Sequence, residues 1–181
     1  MRRIVYDVAV SLDGFIAGPG GDISAFPAEG PHLQPYLDRL ARYETVIMGR
    51  RTYEFGYRYG LQPGARAYPH MDHHVFSRSL DLPASGDVTV VRDDWAEALA
   101  ALRSGSGGDI YLCGGGAFAA YVADLGLLDV LRLKVAPVVI GAGVPLFAGL
   151  RTPIRFERVA ATPYDNGVTL QELVRARTGA P

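Results

Sequence analysis

The chain has 181 residues, 49% of them hydrophobic, with a formal net charge of -1 at pH 7 and one cysteine. That apolar content is enough for one packed core, so we expect a single domain over residues 1–181. The near-neutral balance offers no basic field for nucleic acid and no polybasic segment for a membrane, and a lone Cys113 excludes an intramolecular disulfide, which suits a reducing cytoplasm.

Met1-Arg2-Arg3 carries the charges of a secretion signal, but Asp7 arrives before any apolar stretch can form. Ile4 to Val10 is a β-branched run interrupted only by Asp7, and reads as a buried central strand. Ser11 to Ala17 follows, and then a glycine-rich loop, Gly18-Pro19-Gly20-Gly21-Asp22, of the kind that serves either as a mobile lid or as an ordinary surface loop. Leu33, Leu37 and Leu40 recur at helical spacing and predict a helix from Leu33 to Tyr43, with Pro35 confined to its first turn.

Thr45 to Met48 is a second buried strand, from which Gly49-Arg50-Arg51-Thr52 turns into a brief helix through Phe55. Tyr53, Phe55, Tyr57, Tyr59 and Tyr68 then fall among glycines, which predicts an irregular aromatic connection. His73 to Ser77 and Asp87 to Val91 read as two more strands. His70, Asp72, His73 and His74 invite a metal reading, but adjacent strand positions face opposite ways, so His73 and His74 can hardly share an ion and no metal is expected.

Asp94 and Glu97 have the spacing of a capping box, ahead of an apolar stripe of Trp95, Ala98, Leu99 and Leu102 that carries a helix to Arg103. The run Asp109 to Cys113 then ends in Gly114-Gly115-Gly116-Ala117, a strand-to-helix turn where bare amides can meet a phosphate. Gly114, Gly116 and Ala119 fit the spacing of a dinucleotide fingerprint, but that motif normally follows the first strand, and Asp129 stands too early to hold a ribose from the next strand's end. Leu131, Leu133 and Val135 alternate with Arg132 and Lys134, the mark of a strand with one wetter side. Arg155 to Ala161 and Val168 to Val174 complete the chain as strands joined by the hairpin turn Asp165-Asn166-Gly167. Alternating strands and helices with a closing hairpin imply a mixed α/β sheet covered on both faces.

Lys134 is the only lysine, which excludes a phosphate loop ending in Gly-Lys-Ser/Thr, so any phosphate must be met by arginine, hydroxyl or backbone. Two strand-glycine-helix turns, Gly49 to Thr52 and Gly114 to Ala117, can hold the two sides of one pyrophosphate. Ser77-Arg78-Ser79 adds a guanidinium fork and hydroxyls suited to a phosphate monoester, and Arg50, Arg51 and Arg78 together favour NADPH over NADH.

Val10 to Ala17, Val46 to Glu54, Leu112 to Gly116, and Ala136 to Gly141 with Pro145-Leu146-Phe147, taken in that order, resemble the dihydrofolate reductase-like superfamily. The nearest likeness is to its branch named for the C-terminal reductase domain of the bifunctional riboflavin biosynthesis protein. The resemblance implies a three-layer α/β fold, a mixed, mostly parallel sheet of about eight strands with helices on both faces and a C-terminal β-hairpin. It also implies NADPH along the strand ends, with Gly49, Arg50, Arg51 and Thr52 at the adenosine phosphate and pyrophosphate. Ser77, Arg78 and Ser79 would flank the 2'-phosphate and adenine, Gly114, Gly115, Gly116 and Ala117 the pyrophosphate's other side, and Ala9 and Ile16 the nicotinamide. Where folate reductases carry a pterin-gripping acid, this chain has Leu33, with Glu29 and Asp38 each about one turn away.

The expected activity is therefore hydride transfer from NADPH to a C=N, C=O or conjugated C=C bond of a small cyclic substrate. Asp13, near the nicotinamide end, is the best available carboxylate to deliver a proton and is equally suited to cap the turn with Gly14, with His32 and Tyr53 as weaker candidates. Riboflavin-pathway pyrimidine reduction and a non-catalytic nucleotide-binding role on the same fold stay open as rivals. Family members often pair, and the apolar segment Leu131 to Phe147 is the stretch offered for a homodimer.

Overall fold

The computed structural model describes residues 1–176. Ten strands and four helices follow in the order β1 (Ile4–Val10), β2 (Phe15–Ala17), α1 (Leu33–Leu40), β3 (Thr45–Gly49), α2 (Arg50–Phe55), β4 (Asp72–Phe76), β5 (Val88–Val91), α3 (Trp95–Ser104), β6 (Ile110–Leu112), α4 (Gly116–Asp124), β7 (Leu128–Val135), β8 (Val144–Pro145), β9 (Phe156–Pro163) and β10 (Thr169–Arg175). Eight of these strands form one sheet in the order β5-β4-β3-β6-β1-β7-β10-β9, and β2 pairs with β8 in a small ribbon of its own. β5 to β7 in that order run parallel, and β10 is antiparallel to both β7 and β9.

Strand alternation divides the core into two layers. Ile4 and Tyr6 of β1, Ile47 of β3 and Phe76 of β4 pack with Leu99 of α3 and with Phe118 and Val122 of α4. Val5, Val46, Met48 and Val75 point the other way and meet Tyr53 of α2 and Leu40 of α1. A strand buried on both faces has little use for a polar alternation, which is why β1 and β3 read as continuous apolar runs.

Several boundaries differ from the sequence reading. α1 stops at Leu40 rather than Tyr43, because Tyr43 turns inward and stacks on Tyr111 with ring centroids 5.2 Å apart. Asp94 precedes α3 but is no capping box: its φ of 51° is left-handed, away from the extended geometry a side-chain cap needs, and it makes no cap bond. β2 and β8 are too short to leave a periodic signal. The hairpin turn forms as expected, with Gly167 N donating to Tyr164 O and Gly167 at φ 83°.

β7 has no wet side. It lies between β1 and β10, with Arg132 and Lys134 drawn into ion pairs with Glu172 and Asp7. In the apolar stretch Leu131 to Phe147, Leu131, Leu133, Leu146 and Phe147 pack on the core layer of α3 and α4, whereas Val139 is 67% exposed. Among the described residues, no helix is long and apolar enough to cross a membrane.

Candidate functional site

Parallel strands deliver their C-terminal ends to the same edge of a sheet, and loops from β1, β3, β4 and β6 here surround a cleft of about 1440 Å³. Ordinary small-molecule pockets hold roughly 300–1,000 Å³, so this one has room for a dinucleotide. Ile16, Gly49 to Thr52, Ser77 to Ser79 and Gly114 to Ala117 all line it. Ala9 does not: Val8 faces the cleft, and the next residue along a strand must face the opposite side.

The two glycine turns meet inside the cleft. A Cβ built on Gly115 would stand 2.8 Å from Thr52 Oγ1, and one on Gly49 would stand 3.4 Å from Phe118 Cβ. Gly114 and Gly115 have φ of 121° and 91°, which other residues adopt only with strain. Gly115 caps α4 without a side chain, no acid lies in the first turn, and the first helical bond runs from Ala119 N to Gly115 O. The amides ahead of Ala119 are therefore presented to whatever occupies the cleft, with the positive end of the helix behind them.

At the far end, the three residues after β4 divide their roles. Ser77 is buried, and its Oγ accepts from Ser79 N and Leu80 N, so this hydroxyl builds the turn. Arg78 and Ser79 are exposed at the cleft and remain the groups able to meet a ligand. Asp93, Asp94 and Trp95 also line this end, without any local motif to mark them as cleft residues. Trp95 is held by its indole N–H, which donates to Val91 O and Arg92 O at 3.1 Å each, and it packs edge-on against Phe76, Phe118 and Tyr121. Its place in an apolar helix stripe had hidden it among core residues.

Asp13 does not suit the role of proton donor. Ser11 Oγ donates to its carboxylate at 2.6 Å, and the amides of Ile140 and Gly141 donate from the other side, the latter at 2.6 Å. These bonds, the Ser11 hydroxyl foremost, lower its pKa to about 2. A group so acidic is ionised at neutral pH and has no proton to give. It latches the β1–β2 turn to the segment before β8, beside the β2–β8 pairing and the bond from Leu146 N to Gly14 O. The glycine-rich segment expected as a lid is also tethered, since Arg58 Nη2 donates to Gly20 O at 3.0 Å while its guanidinium lies over the Phe55 ring.

His32 and Tyr53 are structural as well. His32 donates from Nε2 to Pro27 O and accepts at Nδ1 from the Asn166 amide, and the Tyr53 hydroxyl donates to Ala65 O while accepting from Gly64 N. In the histidine cluster, His73 donates from Nδ1 to Met71 O and accepts at Nε2 from Tyr68 N, which fixes one neutral tautomer; burial lowers its pKa in agreement. Both ring nitrogens are thus engaged. Among the described residues no three His, Cys, Asp or Glu side chains gather as a metal ion would need.

The interruption of the first strand now has a cause. Asp7 is fully buried on the α1 side of the sheet, with Arg39 Nε donating to one carboxylate oxygen at 3.0 Å and Lys134 Nζ to the other at 2.7 Å. The Lys134 ammonium also lies 3.8 Å from the centre of the Tyr36 ring. Its pKa is lowered, chiefly by burial, with Asp7 opposing that shift.

The family model of the RibD C-terminal domain matches residues 2–170. The uncharacterized protein YyaP of Bacillus subtilis (strain 168) is 30% identical over 175 residues, covering 92% of each chain. A solved structure from Shewanella sp. PV-4, provisionally assigned to riboflavin biosynthesis, superposes with a TM-score of 0.81 at 23% identity, covering 98% of this chain and 100% of the other. Dihydrofolate reductase from Enterococcus faecalis, solved with NADP(H) and RAB-propyl, superposes with a TM-score of 0.72 at 18% identity, the match covering 97% of both chains. These structural likenesses establish the fold.

Proposed function

Because this chain belongs to the RibD C-terminal domain family, we propose that it is an NADPH-dependent reductase that transfers a hydride to a small cyclic substrate in the cytoplasm. The observation that carries the reading is the meeting of two strand-glycine-helix turns in one large cleft, at the ends of parallel strands. Bound NADPH would supply the hydride, and the protein's work is to hold and orient it and to keep water away. Amides of Gly116 and Ala117 with the Thr52 hydroxyl would meet the pyrophosphate, and Arg50 and Arg51 would meet the adenosine phosphate. Arg78 and Ser79 would take the 2'-phosphate, and Ile16 would border the nicotinamide. The dinucleotide seen with the Enterococcus faecalis reductase supports a cofactor of this kind on this fold.

The test is a thermal shift with NADPH and NADH, followed by loss of the near-ultraviolet NADPH band with candidate substrates, the riboflavin pathway's aminopyrimidine phosphate among them. NADPH should raise the melting temperature more than NADH. No shift with either nucleotide at millimolar concentration would refute the proposal, and binding without turnover across a broad panel would favour a non-catalytic nucleotide-binding protein.

A further inference from the structure

The turn that joins β5 to α3 carries Asp93, Asp94 and Trp95 to the cleft, and the backbone ties it to the turn that carries Arg78. β4 and β5 run parallel with Phe76 opposite Val91, Ser77 N donates to Val91 O at 3.0 Å, and Arg92 Nη1 donates to Arg78 O at 3.4 Å. Trp95 opens α3 just beyond Arg92, so its indole and Arg78 share one end of the cleft. A single ribose separates a 2'-phosphate from its base. A nucleotide whose 2'-phosphate is met by Arg78 and Ser79 therefore brings its base to this indole.

Trp95 is held in one orientation yet is only half-buried, with part of its surface facing the cleft. Its indole N–H is shared between Val91 O and Arg92 O, and Phe76, Phe118 and Tyr121 meet it at interplanar angles of 87°, 79° and 89°. All three contacts are T-shaped, so none of these rings lies flat upon it. A large flat side chain already fixed by its neighbours loses little freedom when another ring stacks on it. The charges at this end sort what arrives. Asp93 and Asp94 are exposed and line the same stretch, where they repel phosphate, while Arg78 attracts it. Phosphate is thereby directed to the guanidinium and the glycine turns, and a flat neutral base to the indole.

We propose that Trp95 is a positioning residue, the platform on which the adenine of the bound nucleotide stacks. It supplies affinity that the glycine turns and the arginines do not, since they meet only phosphate. The proposal rests on the nucleotide reading of the cleft and not on hydride transfer. Stacking of one base on an aromatic side chain corresponds to about tenfold in affinity.

Trp95 is the only tryptophan of the chain, so its fluorescence reports on this one position. The probe is adenosine 2',5'-bisphosphate, the base end of NADPH, because the dihydronicotinamide band would quench indole emission by energy transfer from any pose. The bisphosphate should quench Trp95 saturably, whereas inorganic pyrophosphate, which can fill the phosphate turns but has no base, should leave the emission unchanged. By calorimetry, Trp95→Leu should weaken the bisphosphate about tenfold and leave pyrophosphate as in the wild type, while Trp95→Phe should keep most of the affinity. A merely structural role would weaken both probes together, and the melting transition of each variant verifies its fold. Absence of quenching by the bisphosphate up to millimolar concentration overturns the proposal in the wild-type protein, without recourse to any variant. So does an unchanged bisphosphate affinity in Trp95→Leu, or an equal loss for both probes. If the bisphosphate stacks on Trp95 but NADPH is oxidised with no substrate of the panel, the reductase reading falls and the platform stands.

Discussion

Gly116→Ala has a sign that helix propensity and tertiary contact predict oppositely. Gly116 opens α4 with no positive φ, so by propensity alone the substitution should gain about 0.5–1 kcal/mol. A Cβ there, however, would run into the backbone carbonyl oxygen of Pro145, with Pro145 C at 3.2 Å and Ala148 N at 3.4 Å. A backbone cannot step aside as a flexible side chain can. Relief requires β8 to move, which strains the β2–β8 pairing and the bonds from Leu146 N to Gly14 O and Ala148 N to Gly116 O. Overpacking costs about 1–3 kcal/mol, and each weakened hydrogen bond about 0.5–1.5 kcal/mol, so the net effect is a loss of about 2–3 kcal/mol. Urea denaturation of Gly116→Ala beside Gly108→Ala measures this, Gly108 having no neighbour within 4 Å of a built Cβ and no positive φ. The control should change stability by less than about 0.5 kcal/mol. A neutral or stabilising Gly116→Ala would show that β8 is not locked against α4 and would refute the reasoning.

Arg78→Ala should weaken NADPH about ten- to a hundredfold by titration while leaving NADH nearly unchanged, as loss of charge-assisted bonds to a single phosphate requires; equal weakening of both would remove Arg78 from the 2'-phosphate. For the Asp13 latch, the folded pKa of about 2 lies below the ordinary 3.8, so its stabilisation is complete above 3.8 and is lost as pH falls toward 2. The Gly141 amide resonance should follow a midpoint near 2, and a midpoint near 3.8 would mean that the latch is open in solution. Asp7→Asn strands two mostly buried cations and should cost about 3 kcal/mol at pH 7 in urea melts, where a cost under about 1 kcal/mol would show that the pairs are dispensable. In the wild type, the lowered Lys134 pKa makes its contribution to stability rise with pH from that folded value up to 10.5.

What could be read from the chain followed from short-range physics. Continuous apolar runs marked Ile4–Val10 and Thr45–Gly49 as strands covered on both faces, and three glycines after Leu112 marked a strand-to-helix turn, because each depends on neighbours a few positions apart. The cleft residues were legible for the same reason, their motifs being local turns at strand ends. Asp13 could not be judged that way: the amides that acidify it come from Ile140 and Gly141, far along the chain. Nor could Trp95, whose helix stripe looks the same whether it faces core or cleft. Asp7 shows the division most plainly. Its sequence position told only that a charge interrupts a buried strand. That the charge is answered twice, by Arg39 and by the chain's only lysine, depends on β1 lying between β6 and β7 and on α1 crossing above it. Local sequence determines which backbone conformations are cheap, whereas the balance of a buried charge is settled only when folding brings distant residues within a few ångströms of one another.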